Sequence, residues 1–124
     1  MDYLIGTDSV HTTAAICDYL DDRATADDTV TVIAVAPSGE SMVRRDCEEA
    51  LNVAAVRLAT VGDVETEVRA GTPADELRTA AADADEIVIG AHSGDPDATR
   101  TLGSTARTLL ESSTRPVVVV PIPE

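Results

Sequence analysis

Between Gly90 and Thr105 the chain reads GAHSGDPDATRTLGST, with glycines and hydroxyls at spacings suited to holding a phosphate. Gly90 lacks a Cβ and lets backbone approach a ligand closely. Gly103-Ser104-Thr105 puts amide N–H groups and two hydroxyls at what reads as a helix start, where dipole and donors both favour an anion. His92 and Arg100 add basic character, whereas Asp95 and Asp97 oppose it. An acid within several ångströms of a polyphosphate costs on the order of 1 kcal/mol in a partly screened setting, unless Mg²⁺ or concentrated counterions intervene. Thr7-Asp8-Ser9 and Val35-Ala36-Pro37 are two further segments that end apolar runs and could meet this loop. Asp8 has two readings, a cap for the first helix or a ligand contact. Ser104 can cap its helix and bind phosphate at once. No carboxylate is paired with a nucleophile, so no catalytic residue is assigned. Cys17 and Cys47 have neither C-x-x-C spacing nor a histidine nearby, and they read as small buried apolar residues. His11 reads as an exposed residue at a helix start.

These segments need a scaffold, and the apolar periodicity supplies one. Tyr3 to Ile5, Val30 to Ala36, Val64 to Ala70, Ile87 to Ile89 and Val117 to Val120 read as five strands. Helical stripes lie between them: Ile16, Cys17, Leu20 and Ala24; Val43, Cys47, Ala50, Leu51, Ala54, Leu58 and Val61; Ala74, Leu77, Ala81 and Ala84; Leu102, Ala106, Leu109 and Leu110. Thr72-Pro73-Ala74-Asp75 opens the third helix with a capping hydroxyl, proline at the first position and an acid in the first turn. Strict alternation of strand and helix predicts β-α-β units and a parallel sheet covered on both faces. The charged face of Val64-Glu65-Thr66-Glu67-Val68 predicts an edge strand. The last strand is apolar on both faces, and if it too is an edge, a second copy of the chain would cover it. In such a sheet, ligands bind beyond the carboxyl ends of the strands, where strand order reverses.

With 124 residues the chain is expected to form one domain over residues 1–124, without linker or second domain. No basic n-region precedes the first apolar segment and no apolar run approaches the length of a membrane span, which predicts a soluble cytoplasmic protein. The formal net charge of −14 arises from 23 acids against nine arginines, with no lysine. Such a surface repels phosphates broadly and argues against nucleic acid or anionic membrane as partner. It also repels itself unless salt screens it. Together with the absence of Phe and Trp, this composition resembles that of proteins adapted to molar salt inside the cell.

The ordered segments resemble the universal stress protein family. Its nucleotide-binding members carry G-x2-G-x9-G-[ST] after the fourth strand; here Gly90 opens the pattern and Gly103-Ser104 closes it thirteen residues later. The strand leading into Thr7-Asp8-Ser9, the strand Val32-Ile33-Ala34-Val35, the turn Gly71-Thr72-Pro73-Ala74-Asp75 and the terminal Arg115-Pro116-Val117-Val118-Val119-Val120-Pro121 fall in family order. One position departs: Ser93 stands where the pattern has glycine, with Gly94 one place later. The resemblance implies a three-layer α/β/α fold with strand order 3-2-1-4-5, of the adenine nucleotide alpha hydrolase-like type. It implies ATP or a related adenine nucleotide as ligand, with Mg²⁺ accompanying it. Asp8, with Thr7 and Ser9 beside it, and Val35 would surround the adenine; Ile89 and Gly90 would lie near adenine and ribose; the loop with His92, Ser93, Gly94, Gly103, Ser104 and Thr105 would take the phosphates. It further implies a homodimer formed through Val117, Val118, Val119, Val120 and Pro121, and a role in stress response or signalling rather than catalysis. The alternative is a nucleotide-free dimeric module of the same fold. A response-regulator receiver would need an acidic pair after strand one, an Asp after strand three and a lysine, and a flavodoxin-like module would need aromatics around its flavin. Neither set is present, the only aromatics being Tyr3 and Tyr19.

Overall fold

A computed structural model describes residues 1–36, 41–91 and 102–122. The elements alternate throughout: β1 (Asp2–Thr7), α1 (Val10–Asp21), β2 (Thr29–Ala36), α2 (Ser41–Arg57), β3 (Asp63–Ala70), α3 (Pro73–Ala80) with a 3-10 turn at Ala81–Asp83, β4 (Glu86–Gly90), α4 (Ser104–Ser112) and β5 (Val117–Val120). The strands form one parallel sheet in the order β3-β2-β1-β4-β5. The covered parallel sheet is the one the alternation predicts, and the order 3-2-1-4-5 is the one the family resemblance implies.

The two-residue period of a strand divides its side chains between the two faces. Tyr3, Ile5, Val30, Val32, Ala34 and Val88 join one core with Ile16, Leu20, Leu51 and Ala54 of α1 and α2. Leu4, Ile33, Val35, Ile87 and Ile89 join the other with Ala74, Leu77, Ala106 and Leu109 of α3 and α4. The three central strands, β2, β1 and β4, are therefore apolar on both faces, as buried parallel strands must be. β3 is an edge and exposes Glu65, Thr66 and Glu67. β5 is the opposite edge. Val118 and Val120 turn to the α1/α2 core and Val117 and Val119 to the α3/α4 core, and only Val120 is fully buried.

Several local expectations are corrected. The expected last stripe is shorter than its spacing suggests: Leu102 precedes α4 and is 38% exposed, and Leu110 is 51% exposed because the buried face of α4 is Ala106 and Leu109. Ala24, Leu58, Val61 and Ala84 lie past the ends of their helices, though each still packs on a core. Thr72 occupies the N-cap of α3 and Pro73 its first position, but the Thr72 hydroxyl makes no capping bond; its carbonyl instead accepts the Glu76 amide at 3.0 Å. Just before it, Gly71 has φ +136°, a conformation that favours glycine, and turns the chain from β3 into α3. Arg57 ties α2 to α1 by pairing with Asp18 at 2.7 Å and Asp21 at 2.9 Å.

Cys17 and Cys47 are free, buried thiols, as their helical positions suggested. Burial pushes the Cys17 thiol up to about 11, against the opposing pull of Arg57, with Asp21 and Asp18 adding to the rise. Below pH 9 the thiol is protonated in folded and unfolded chains alike, so its contribution is intact there. As pH rises from about 9 toward about 11 the unfolded chain ionises first, and stability falls by about 1.4 kcal/mol per pH unit. Cys17→Ala is expected to flatten that alkaline slope in urea unfolding measured from pH 8 to 11, and an unchanged slope would show that Cys17 does not set it.

Candidate functional site

β1 pairs with β2 on one side and β4 on the other, so strand order reverses at β1. The segments leaving the carboxyl ends of β1 and β4 lead to helices on opposite faces of the sheet, and a crevice opens between them. The described residues enclose a cleft of about 350 Å³ at this point, within the range of small-molecule sites. Its walls are largely apolar: Ile33 and Val35 from β2, Val43 and Cys47 from α2, Pro73 and Leu77 from α3, and Ile89 from β4. Gly6, Thr7, Asp8, Thr12, Gly90 and the first residues of α4, Gly103 to Ala106, complete it. A second hollow of about 380 Å³ beside β3 is lined among others by Asp2, Glu65, Arg69 and Asp83.

The α4 end of the cleft is pinned by backbone. Ala91 donates its amide to the Val120 carbonyl at 2.9 Å, and the Ala91 carbonyl accepts the Gly103 amide at 2.8 Å. Gly103 is thereby held against the ends of β4 and β5. It is also the N-cap of α4, which corrects the reading of Ser104 as cap: Ser104 is the first helical residue. Gly103 has no side chain to satisfy the first-turn amides, so the helix start presents donors and the positive end of its dipole.

The β1 end is built from hydroxyls. Thr7, Thr12 and Thr13 are the buried polar residues among those described, and all three lie at the junction of β1 and α1. Such burial is costly unless every hydroxyl is bonded, and here each one is. Thr13 donates to the Ser9 carbonyl at 2.8 Å, and Thr7 and Thr13 share a 2.8 Å hydroxyl contact. Ser9 caps α1, its Oγ accepting the Thr12 amide at 3.1 Å. The cap reading of Asp8 is thus corrected: Ser9 takes that role, and Asp8 instead accepts a hydrogen bond from Thr12 Oγ1 at 2.9 Å while lining the cleft. Cys47 on the opposite wall has its thiol raised by burial first, then by the nearby Asp46 and Asp8 carboxylates.

Of the residues singled out in the sequence, Thr7, Asp8, Val35, Ile89, Gly90, Gly103, Ser104 and Thr105 meet around this one cleft. Ser9 does not line it and acts one layer below, as the cap. His92, Ser93 and Gly94, with Asp95, Asp97 and Arg100, lie outside the described residues. His11 is exposed on α1. The sequence reading missed Gly6, Thr12, Ile33, Val43, Cys47, Pro73, Leu77 and Ala106 as lining residues. Ile33, Cys47, Leu77 and Ala106 belong to the cores and Val43 packs against one, as their periodicity predicts, and the core opens at this point. Thr12 left one signal, a hydroxyl three residues after Ser9 on an otherwise apolar helix face.

The architecture is that of a doubly wound α/β domain with its cleft at the switch point. A model of the universal stress protein family matches residues 4–121, and the chain belongs to that family. Curated proteins gave no match. Among solved structures, hypothetical protein MJ0577 superposes with a TM-score of 0.84 at 21% identity, over 99% of this chain and 96% of that one. A universal stress protein in complex with cAMP gives 0.73 at 22%, over 99% and 98%. The universal stress protein from Archaeoglobus fulgidus in complex with dAMP gives 0.71 at 20%, over 97% of each chain. At these identities the likeness is one of fold.

Gly6 sets how closely α3 approaches the cleft. A Cβ there would stand 2.6 Å from Leu77 Cδ1 and 3.2 Å from Ile89 Cγ2, both buried. Gly6→Ala is expected to cost about 1–3 kcal/mol by overpacking, read as a lowered midpoint in urea; a midpoint equal to wild type would mean that Leu77 moves aside freely.

Proposed function

We propose that the chain works as a single universal stress protein domain that binds an adenine nucleotide in the switch-point cleft, with ATP and its Mg²⁺ as the physiological form, in stress response or signalling rather than in catalysis. The observation that carries this reading is the meeting of an apolar slot with an uncapped helix start in one cleft. The slot suits a flat base, with Val35 and Ile89 on its walls and Asp8 at its rim. Gly103, Ser104 and Thr105 suit phosphates, the donors being backbone amides aligned with a helix dipole. The complexes of structural neighbours with cAMP and dAMP support the same class of ligand. Equilibrium binding of ATP with Mg²⁺ in molar KCl should saturate, and Gly103→Val should abolish it while leaving the far-ultraviolet circular dichroism unchanged. Undiminished affinity in the folded variant would remove α4 from the site.

A second reading, a nucleotide-free dimeric module, is favoured by one observation: the edge strand β5 keeps Val117, Val118 and Val119 only half-buried. An apolar edge invites pairing. We place a homodimer seam at Val117 to Pro121 in either reading, with a second copy of the chain as the partner. Val119→Asp should yield a folded monomer by light scattering, and an intact dimer would exclude this seam.

The excess of 23 acids over nine arginines, with no lysine, supports a cytoplasmic setting of high salt. Screening of that self-repulsion should raise the melting temperature between 0.1 M and molar KCl; equal melting in both would contradict salt adaptation.

A further inference from the structure

We infer that Thr12 is a positioning residue that orients the Asp8 carboxylate toward an amino group of the bound base, so that selectivity for an amine-bearing purine depends on a hydroxyl chain running through α1. The inference rests on the adenine reading above and deepens it. Three bonds define the chain: the Thr12 amide donates to Ser9 Oγ at 3.1 Å, Ser9 Oγ donates to Thr12 Oγ1 at 3.1 Å, and Thr12 Oγ1 donates to Asp8 Oδ1 at 2.9 Å. Its direction is forced at both ends. A carboxylate only accepts, so Thr12 must donate to it; the Thr12 hydroxyl has then used its one proton, so in the Ser9–Thr12 contact Ser9 is the donor.

Burial makes the arrangement matter. Thr12 is 2% exposed, whereas Asp8 is exposed at the cleft rim. A hydrogen bond from a buried, fixed donor narrows the rotamers open to an exposed aspartate. A carboxylate held in one orientation meets a base amine as a charge-assisted acceptor without first losing rotational freedom. The same carboxylate repels a carbonyl oxygen at that place. Thr12 also lines the cleft itself, so the capping network of α1 reaches the wall of the ligand space. Nothing in helix formation requires that third bond, because the Ser9 cap is complete without it.

The test compares AMP with purine riboside 5′-monophosphate, which differs only in lacking the 6-amino group, by calorimetric titration of wild type, Thr12→Val and Thr12→Ser in molar KCl. Wild type should prefer AMP by roughly tenfold, the scale of one hydrogen bond to a charged group. Thr12→Val should bring the ratio of affinities toward one, and Thr12→Ser, which keeps the hydroxyl, should retain it. Loss of affinity for both nucleotides by the same factor in Thr12→Val would reduce Thr12 to a structural role and overturn the inference. So would an unchanged ratio. If Thr12→Val does not fold, Thr12→Ala takes its place with the same two readings, and equal binding of the two nucleotides by wild type would by itself show that no carboxylate reads the amine and overturn the inference. Binding of neither by folded wild type would instead overturn the adenine reading, and this inference with it.

Discussion

The reversal of strand order at β1 is the constraint on which the rest depends. β1 is hydrogen-bonded to β2 and β4 at once, and each parallel connection must cross over a face of the sheet. Two connections that leave neighbouring strands for opposite faces cannot pack against each other at their start. The crevice between them is therefore a consequence of winding, present before any side chain is chosen. What the sequence adds is how the crevice is lined: apolar walls from β2, α2 and α3, hydroxyls at the start of α1, and a glycine at the start of α4.

The two ends of the cleft meet the same problem with opposite means. A helix start leaves amides without intrahelical partners. At α1 the amide of Thr12 is satisfied within the protein by Ser9, and the buried threonines around it spend their own hydrogen bonds on one another and on the Ser9 carbonyl. That end is closed and fixed. At α4 the N-cap is Gly103, held in place by the Ala91 carbonyl but without a side chain to turn inward. Among the described residues no side chain caps that end. A ligand with an apolar, amine-bearing head and an anionic tail is complementary to this asymmetry in both respects.

Much of this could be read in advance. The change of apolar period from two to near four located all five strands and four helices, and the charged face of Val64 to Val68 marked the edge, because both signals come from burial summed over many residues. Single hydrogen bonds are decided by a few tenths of an ångström and were not readable in the same way. Asp8, Ser9, Thr72 and Ser104 are all chemically competent caps, and the choice among them depends on backbone angles that residue type does not determine. Leu102 and Leu110 carried the right spacing for a buried face, but α4 is short and sits near the β5 edge, where the sheet offers little to cover. The spacing of Val43 and Cys47 marks them as inward-facing. That inward also meant cleft-facing requires knowing that α2 passes the end of β2 beside the reversal.

The most direct test of the central claim is a crystal structure of the protein grown with AMP. The account predicts one nucleotide per chain, its base between Val35 and Ile89 with the amine toward Asp8, and its phosphate on the amides of Ser104 and Thr105. A nucleotide seated elsewhere, or with its phosphate at the Asp8 end of the cleft, would contradict it.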